Sequence, residues 1–288
     1  MKPQLHYFAV LTLLLIGLSV GSCGLVDPDE QIPGYLHIEP WTIDAQGGQG
    51  TEEQRITDVW VAIDDQLVGA FFLPVTIPVL AEGPTEVSLF PGIIENGITN
   101  TRDIYPFFNQ LSFTNDFVPL QVDSIFPTTT YRSNTVFVFV EDFEGSNLFG
   151  QDVDGNANTR LELTTQDVFE GSASGVFTLI GDDALGIAAT SLLFDLPTSD
   201  TPIFLELHFK TDLQFSVGVV GTFIDGTQQF VPKLTLTPRD DWRKVYVNIE
   251  PEVQALGARD YQVYFTATKP NDMETATILL DNIKLLHF

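Results

Sequence analysis

The sequence predicts an all-β chain made of two β-sandwich domains. Three observations carry that expectation. Short runs rich in β-branched and aromatic residues fill most of the chain from Gly34 onward. Turn signals separate these runs at intervals of about 8 to 12 residues, the rhythm of sandwiches and barrels. One stretch, 252–256, has the makings of a helical turn, and Gly257 stops it.

In order along the first half, residues 59–63 (VWVAI) read as a strand that ends at Asp64-Asp65. Residues 67–79 contain Pro74 and Pro78, a spacing that no helix interior tolerates, and read as extended chain. Residues 86–90 alternate polar and apolar and are expected to break at Pro91-Gly92, with a further turn at Asn96-Gly97. An aromatic cluster follows at Tyr105-Pro106-Phe107-Phe108, then strands over 112–122 and 135–140. The second half predicts strands at 160–163, 174–180, 192–196, 203–211, 214–222, 229–235, 244–249, 262–267 and 277–286. The domain boundary is placed between residues 136 and 137. These strands are too short and irregular for an outer-membrane barrel, whose strands run to about 9–11 residues.

Composition narrows the function. Thirty-nine acidic residues against 13 basic ones give a net charge of −26, which argues against nucleic acid and against anionic lipid as surface partners. A hydrophobic content of 44% excludes a disordered chain. The four histidines, His6, His37, His208 and His287, form no metal-ligand spacing, and Gly171-Ser172-Ala173-Ser174-Gly175 is out of register for a nucleophile elbow. The expectation is a non-enzymatic protein, with an envelope hydrolase as a remote alternative.

The single cysteine, Cys23, leaves no disulfide within the chain. It closes a segment that begins with Lys2, runs uncharged from Phe8 to Val20, and ends Gly21-Ser22-Cys23. That apolar run falls short of the roughly 20 residues that span a bilayer, and its order is that of a secretory signal. The small-small-Cys ending resembles the lipobox of bacterial lipoproteins. The resemblance implies a signal peptide over 1–22, a palmitate-type acylated Cys23 as membrane anchor, and an acidic tether over 23–33. Asp27, Asp29 and Glu30 in that tether resemble the export signal of Bacteroidota-type surface lipoproteins, which implies an outer-membrane, cell-surface location.

Residues 34–136, with the phrase VWVAIDD and the Pro91-Gly92 turn, resemble small prealbumin-like or immunoglobulin-like modules. In residues 137–288, the phrase Glu141-Asp142-Phe143-Glu144-Gly145, the turn over 171–175, and Leu280-Asp281-Asn282-Ile283 resemble the galactose-binding-like jelly rolls of carbohydrate-binding modules. That resemblance implies adjacent first and last strands and a structural calcium held by Asp142, Glu144 and Asp281, with carbonyls from around 171–174. Calcium takes six to eight oxygens, so three carboxylates with carbonyls would suit it. A second calcium candidate is Asp152, Asp154 and Asn156. There the glycine comes one residue early for an EF-hand loop and position twelve is Leu163, so an acidic β-turn is the better reading. Trp60 and Trp242 read as core packing, and Trp41 lies in a polar stretch. No residue is singled out as a ligand contact. The leading function is a binding or accessory subunit of an envelope protein assembly, with the proline-rich first domain as a docking module. The alternative is a glycan-binding lipoprotein that uses the jelly roll.

Overall fold

A computed structural model describes residues 30–81 and 83–288. The signal segment, Cys23 and most of the acidic tether lie outside the described residues.

The first sandwich begins with β1 (Gly34–Ile38) and its continuation β2 (Thr42–Ile43). β3 (Asp58–Ile63) and β4 (Gln66–Phe72) form a hairpin whose turn residues Asp64 and Asp65 both have positive φ. Such a turn matches the twist of the paired strands. β5 (Val75–Val79), β6 (Pro84–Ile94), β7 (Arg102–Ile104), β8 (Leu111–Asp116), β9 (Val122–Ile125) and β10 (Thr128–Thr129) follow. One sheet has the order β5-β1-β9 and is continued by the β10-β2 pair. The other runs β4-β3-β6, with β8 along the first half of β6 and β7 along the second. Leu36, Ile38, Val59, Val61, Ile77 and Leu89 fill the space between them.

One expectation is refined here and two change. Residues 67–79 are two strands, with Pro74 between them and Pro78 on the edge strand β5, where no ladder N–H is needed. β6 does not break at Pro91-Gly92. Pro91 sits where the partner changes from β8, which ends its pairing at Leu89, to β7, which starts at Gly92. Its carbonyl still accepts from the Tyr105 N–H at 3.0 Å. Residues 112–122 are split by a turn in which Leu120 has φ +64°.

The second sandwich starts at β11 (Val136–Glu141) and continues through β12 (Gln151–Asp152), β13 (Leu161–Thr164), β14 (Ser174–Ile180), β15 (Leu185–Ala189), β16 (Ile203–Thr211), β17 (Phe215–Thr222), β18 (Gln228–Leu236) and β19 (Arg239–Asn248). Helix α1 (Glu250–Leu256) ends at Gly257 in the left-handed conformation, and β20 (Asp260–Thr268) and β21 (Thr275–His287) complete it. The first sheet is β13-β14-β21-β16-β19, with β11 sharing the β14 side of β21. The second is β12-β15-β20-β17-β18. First and last strands are therefore paired, in a jelly-roll arrangement. The strand predicted at 192–196 is absent except for one bridge, Phe194 to Tyr261, and β15 takes its place in the sheet.

The two sandwiches meet on the outer face of the β11-β21-β16-β19 region. Tyr105, Phe107, Phe108 and Tyr131 of the first pack on Phe204, Tyr246 and Leu286 of the second. The turn after β6 also runs along the edge strand β19, through the Glu95–Tyr246 bridge and an Asn96 N–H to Tyr246 carbonyl bond of 2.8 Å.

Candidate functional site

The segments that carry the three resemblance phrases do come together, but their acids are spent on the protein itself. Glu144 stands at the surface and accepts from the Ser172 N–H at 2.7 Å, the Ser172 hydroxyl at 2.5 Å and the Ala173 N–H at 3.1 Å. These bonds lower its pKa. Asp142, also exposed, accepts from the Glu144 N–H at 3.1 Å. Asp281 is buried instead, and accepts from the Ser174 hydroxyl at 2.6 Å and the Asn282 N–H at 2.7 Å. Burial pushes its pKa up to about 6. Two acids at the surface and one in the interior do not form the expected calcium cluster. Among the described residues no group of three or more histidine, cysteine, aspartate or glutamate side chains is gathered to hold a metal. Glu141, which the sequence did not single out, does the same structural work. It is 2% exposed and receives the N–H groups of Phe143 and Leu148.

The second acidic loop is a run of side-chain-capped turns. Asp152 accepts from the Gly155 N–H and pairs with Arg160 at 3.0 Å. Asp154 accepts from the Asn156 and Ile187 N–H groups, and Asn156 from the Asn158 N–H. Asp183 gathers the amides of Asn156 and Asn158. These are the local side-chain-to-backbone bonds that Asp and Asn make in turns.

Asp142, Glu144, Glu170 and Asn282 also line a cleft of about 590 Å³, faced by the Gly-rich loop at residues 45–53 of the first sandwich. Among the described residues no aromatic side chain lines it. The tryptophans lie elsewhere. Trp41 is buried in the first core, although its stretch reads as polar. Trp60 alternates with the core residues Val59 and Val61 and so faces away from that core. Trp242 packs on Phe169 at 5.6 Å and donates to Asp167 at 3.2 Å.

An aromatic side chain with open surface occurs on the outer face of the second sheet. Phe215, Val217, Val219, Val263 and Phe265 of β17 and β20 point into the core. Pleating turns Gly218, Val220, Thr222, Gln262 and Tyr264 to the other side. Val220 is paired with Phe230 and Thr222 with Gln228 on β18, so these too share that face. Phe230 is 41% exposed and meets the Tyr264 ring edge-on, with centroids 5.3 Å apart at 77°. Gly218 makes the arrangement possible. A Cβ there would lie 2.6 Å from the Tyr264 ring and 2.3 Å from the Val231 carbonyl oxygen.

Beside this pair runs a row of amides. Gln228 donates to the Thr222 hydroxyl at 3.2 Å and to the Gln262 amide oxygen at 3.4 Å. Gln262 in turn donates to Gln151 and to the Thr190 carbonyl. The row crosses from the edge strand β18 to β12 and holds Gln262 fixed while Gln228 stays at the surface. A flat ring next to the surface amide of Gln228, which Thr222 and Gln262 hold in place, suits a ligand with an apolar face and hydroxyls on its edge. The sequence signal was the alternation of β17 and β20, whose polar and aromatic outer positions are easily taken for a solvated face.

No protein-family model matches the sequence, and no curated protein matches it. Similar solved structures include a xylan-binding domain of carbohydrate-binding-module family 22, with 15% identity over 52% of this chain and 93% of that one, at a TM-score of 0.36. A family 30 module of a Clostridium thermocellum cellulosomal cellulase has 16% identity over 52% and 96%, at 0.37. A promiscuous carbohydrate-binding module of the β-sandwich superfamily has 15% identity over 90% and 99%, at 0.36. Likenesses of this size do not identify a ligand or a contact residue. The jelly-roll arrangement rests on the strand order itself.

Proposed function

We propose that the protein is a non-catalytic glycan-binding protein, and that the outer face of the β12-β15-β20-β17-β18 sheet takes the glycan. The observation that carries this reading is Phe230, exposed on the edge strand, braced by Tyr264 and flanked by the Gln228–Gln262–Gln151 row. Aromatic rings carry a negative π-face that attracts the polarised C–H groups of a sugar ring, and amides fix its hydroxyls. Carbohydrate is also what the solved structures above are named for. The lipidated Cys23 of the sequence reading would hold this face at the outer membrane.

This reading takes precedence over an envelope-assembly subunit for a physical reason. The docking module expected from the sequence is the proline-rich first domain, and its aromatic residues 105–108 are packed on the chain's own second sandwich. The test is affinity electrophoresis in native gels cast with soluble xylan, mannan or mixed-linkage glucan. At least one polysaccharide retards the protein, and Phe230→Ala abolishes the retardation. If no polysaccharide in a broad panel retards the protein, the proposal is wrong.

A further inference from the structure

A strongly acidic chain with 13 basic residues places three of its arginines around one pocket. The pocket, about 210 Å³, opens between the edge strands β18 and β19 of the two jelly-roll sheets and is roofed by the β6–β7 turn at Asn96–Ile98. Arg55 enters from the first sandwich, and Arg239 and Arg243 come from β19. Its floor is apolar, made by Phe209, Leu234, Leu236 and Val245. Among the described residues no carboxylate lines it.

The arginines are poorly compensated. Asp241, its side chain 63% exposed, takes single bonds of 3.2 Å from Arg239 and 3.4 Å from Arg243. Arg239 Nε is buried without a hydrogen-bond partner, and the Arg55 guanidinium forms no ion pair among the described residues. Lys244, at the back, is committed to Glu206 at 2.8 Å. Burial, then the neighbouring Arg243 and Arg239, lower the pKa of Arg55. A buried donor with no acceptor is costly, and guanidinium is the group best shaped for two-pronged binding of a carboxylate. The volume equals that of about seven liquid waters, enough for a small molecule or one ligand unit.

We propose that this pocket binds a small organic carboxylate, with its anionic end on Arg55, Arg239 and Arg243 and its apolar side on the Phe209–Val245 floor. Asp241 acts as a weak internal counter-ion that the ligand displaces. The chemistry has two sources, a sugar acid or a non-sugar acid, and the site is separate from the Phe230 face.

The test is calorimetric titration of the intact protein with glucuronate and with benzoate. Glucose and benzyl alcohol serve as neutral counterparts. We expect one of the two acids to bind, its neutral counterpart not to, and the affinity to fall at least tenfold in Arg239→Gln/Arg243→Gln. Raising chloride from 50 to 500 mM should weaken it. Binding of glucuronate alone assigns the pocket to acidic sugars, and of benzoate alone to non-sugar acids. Asp241→Asn, a surface change that leaves the fold intact, should tighten binding several-fold, and so provides a check if the double variant does not fold. The proposal is overturned if neither acid binds, if the neutral counterparts bind equally, or if Asp241→Asn leaves the affinity unchanged. Glycan binding at Phe230 is measured separately with neutral polysaccharide, so either reading can fail without the other.

Discussion

Glu206 shows how one residue can hold two domains together. It is fully buried on β16, accepts from the Tyr105 hydroxyl at 2.7 Å and the Tyr131 hydroxyl at 3.0 Å, and pairs with Lys244 at 2.8 Å. Burial alone would raise its pKa, but Lys244 and Lys284 outweigh that and lower it. Removing its charge leaves the buried Lys244 ammonium without its counter-ion, so Glu206→Gln should cost about 3–5 kcal/mol, read as a drop in the urea midpoint. Lys284 gives a pH signature. Burial, reinforced by Lys244, lowers its pKa to about 7 from 10.5. The unfolded chain therefore holds this proton between pH 7 and 10.5 where the folded one releases it, and stability rises with pH across that window. Lys284→Met should flatten the rise between pH 7 and 9.5. An unchanged slope would show that another group titrates there. At this scale the sequence was only partly legible. Alternation in Phe204-Leu205-Glu206-Leu207-His208 places Glu206 and His208 opposite the core, but a charged residue there looks solvated until the first sandwich covers it.

Strands tell a clearer story. β14 and β16 follow from their hydrophobic pattern to the residue, and Asn96-Gly97 makes the turn its residues demand, both at positive φ. The failures have specific causes. Pro91 reads as a break because a sequence does not show that the strand changes partner at that position. β15 (LGIAA) is short and rich in small residues, so it carries little strand propensity, while the more apolar residues 192–196 lie outside the ladder. On the candidate face, Gly218 is a test of element geometry. Gly218→Ala must displace the Tyr264 ring or the β18 backbone, and overpacking of that kind costs about 1–3 kcal/mol. It should lower both the melting temperature and glycan affinity, whereas Phe230→Ala, at a residue 41% exposed, should lower affinity and leave the melting temperature nearly unchanged. Calorimetric melting of both variants distinguishes the two effects. The acids named for calcium are placed at the same scale, Asp142 and Glu144 at the surface and Asp281 in the interior. The phrases at 141–145, 171–175 and 280–283 do mark segments that meet, but hydrogen bonds from Ser172, Ala173 and Ser174 occupy the carboxylates meant for the ion.

Over the whole molecule, the two sandwiches share one aromatic junction. Tyr105 lies 5.3 Å from Phe204 and 4.9 Å from Tyr246, and Phe107 lies 4.7 Å from Phe288. A chain ending at residue 135 would leave these rings, and a chain starting at 136 would leave Glu206 and Lys284, without their partners across the junction. Scanning calorimetry should therefore record one cooperative unfolding transition, and two well-separated transitions would contradict a shared core. The same junction turns the first sheet of the jelly roll inward, and among the described residues the outer face of the second sheet is not packed on the first sandwich. Glycan binding on this face, as proposed above, depends on Phe230. Its most direct test is titration of the intact protein and of Phe230→Ala with the polysaccharide that retards the wild type. Saturable binding by the wild type and a loss of at least tenfold in the variant, at an unchanged melting temperature, are expected. Equal affinities for the two would contradict this dependence on Phe230.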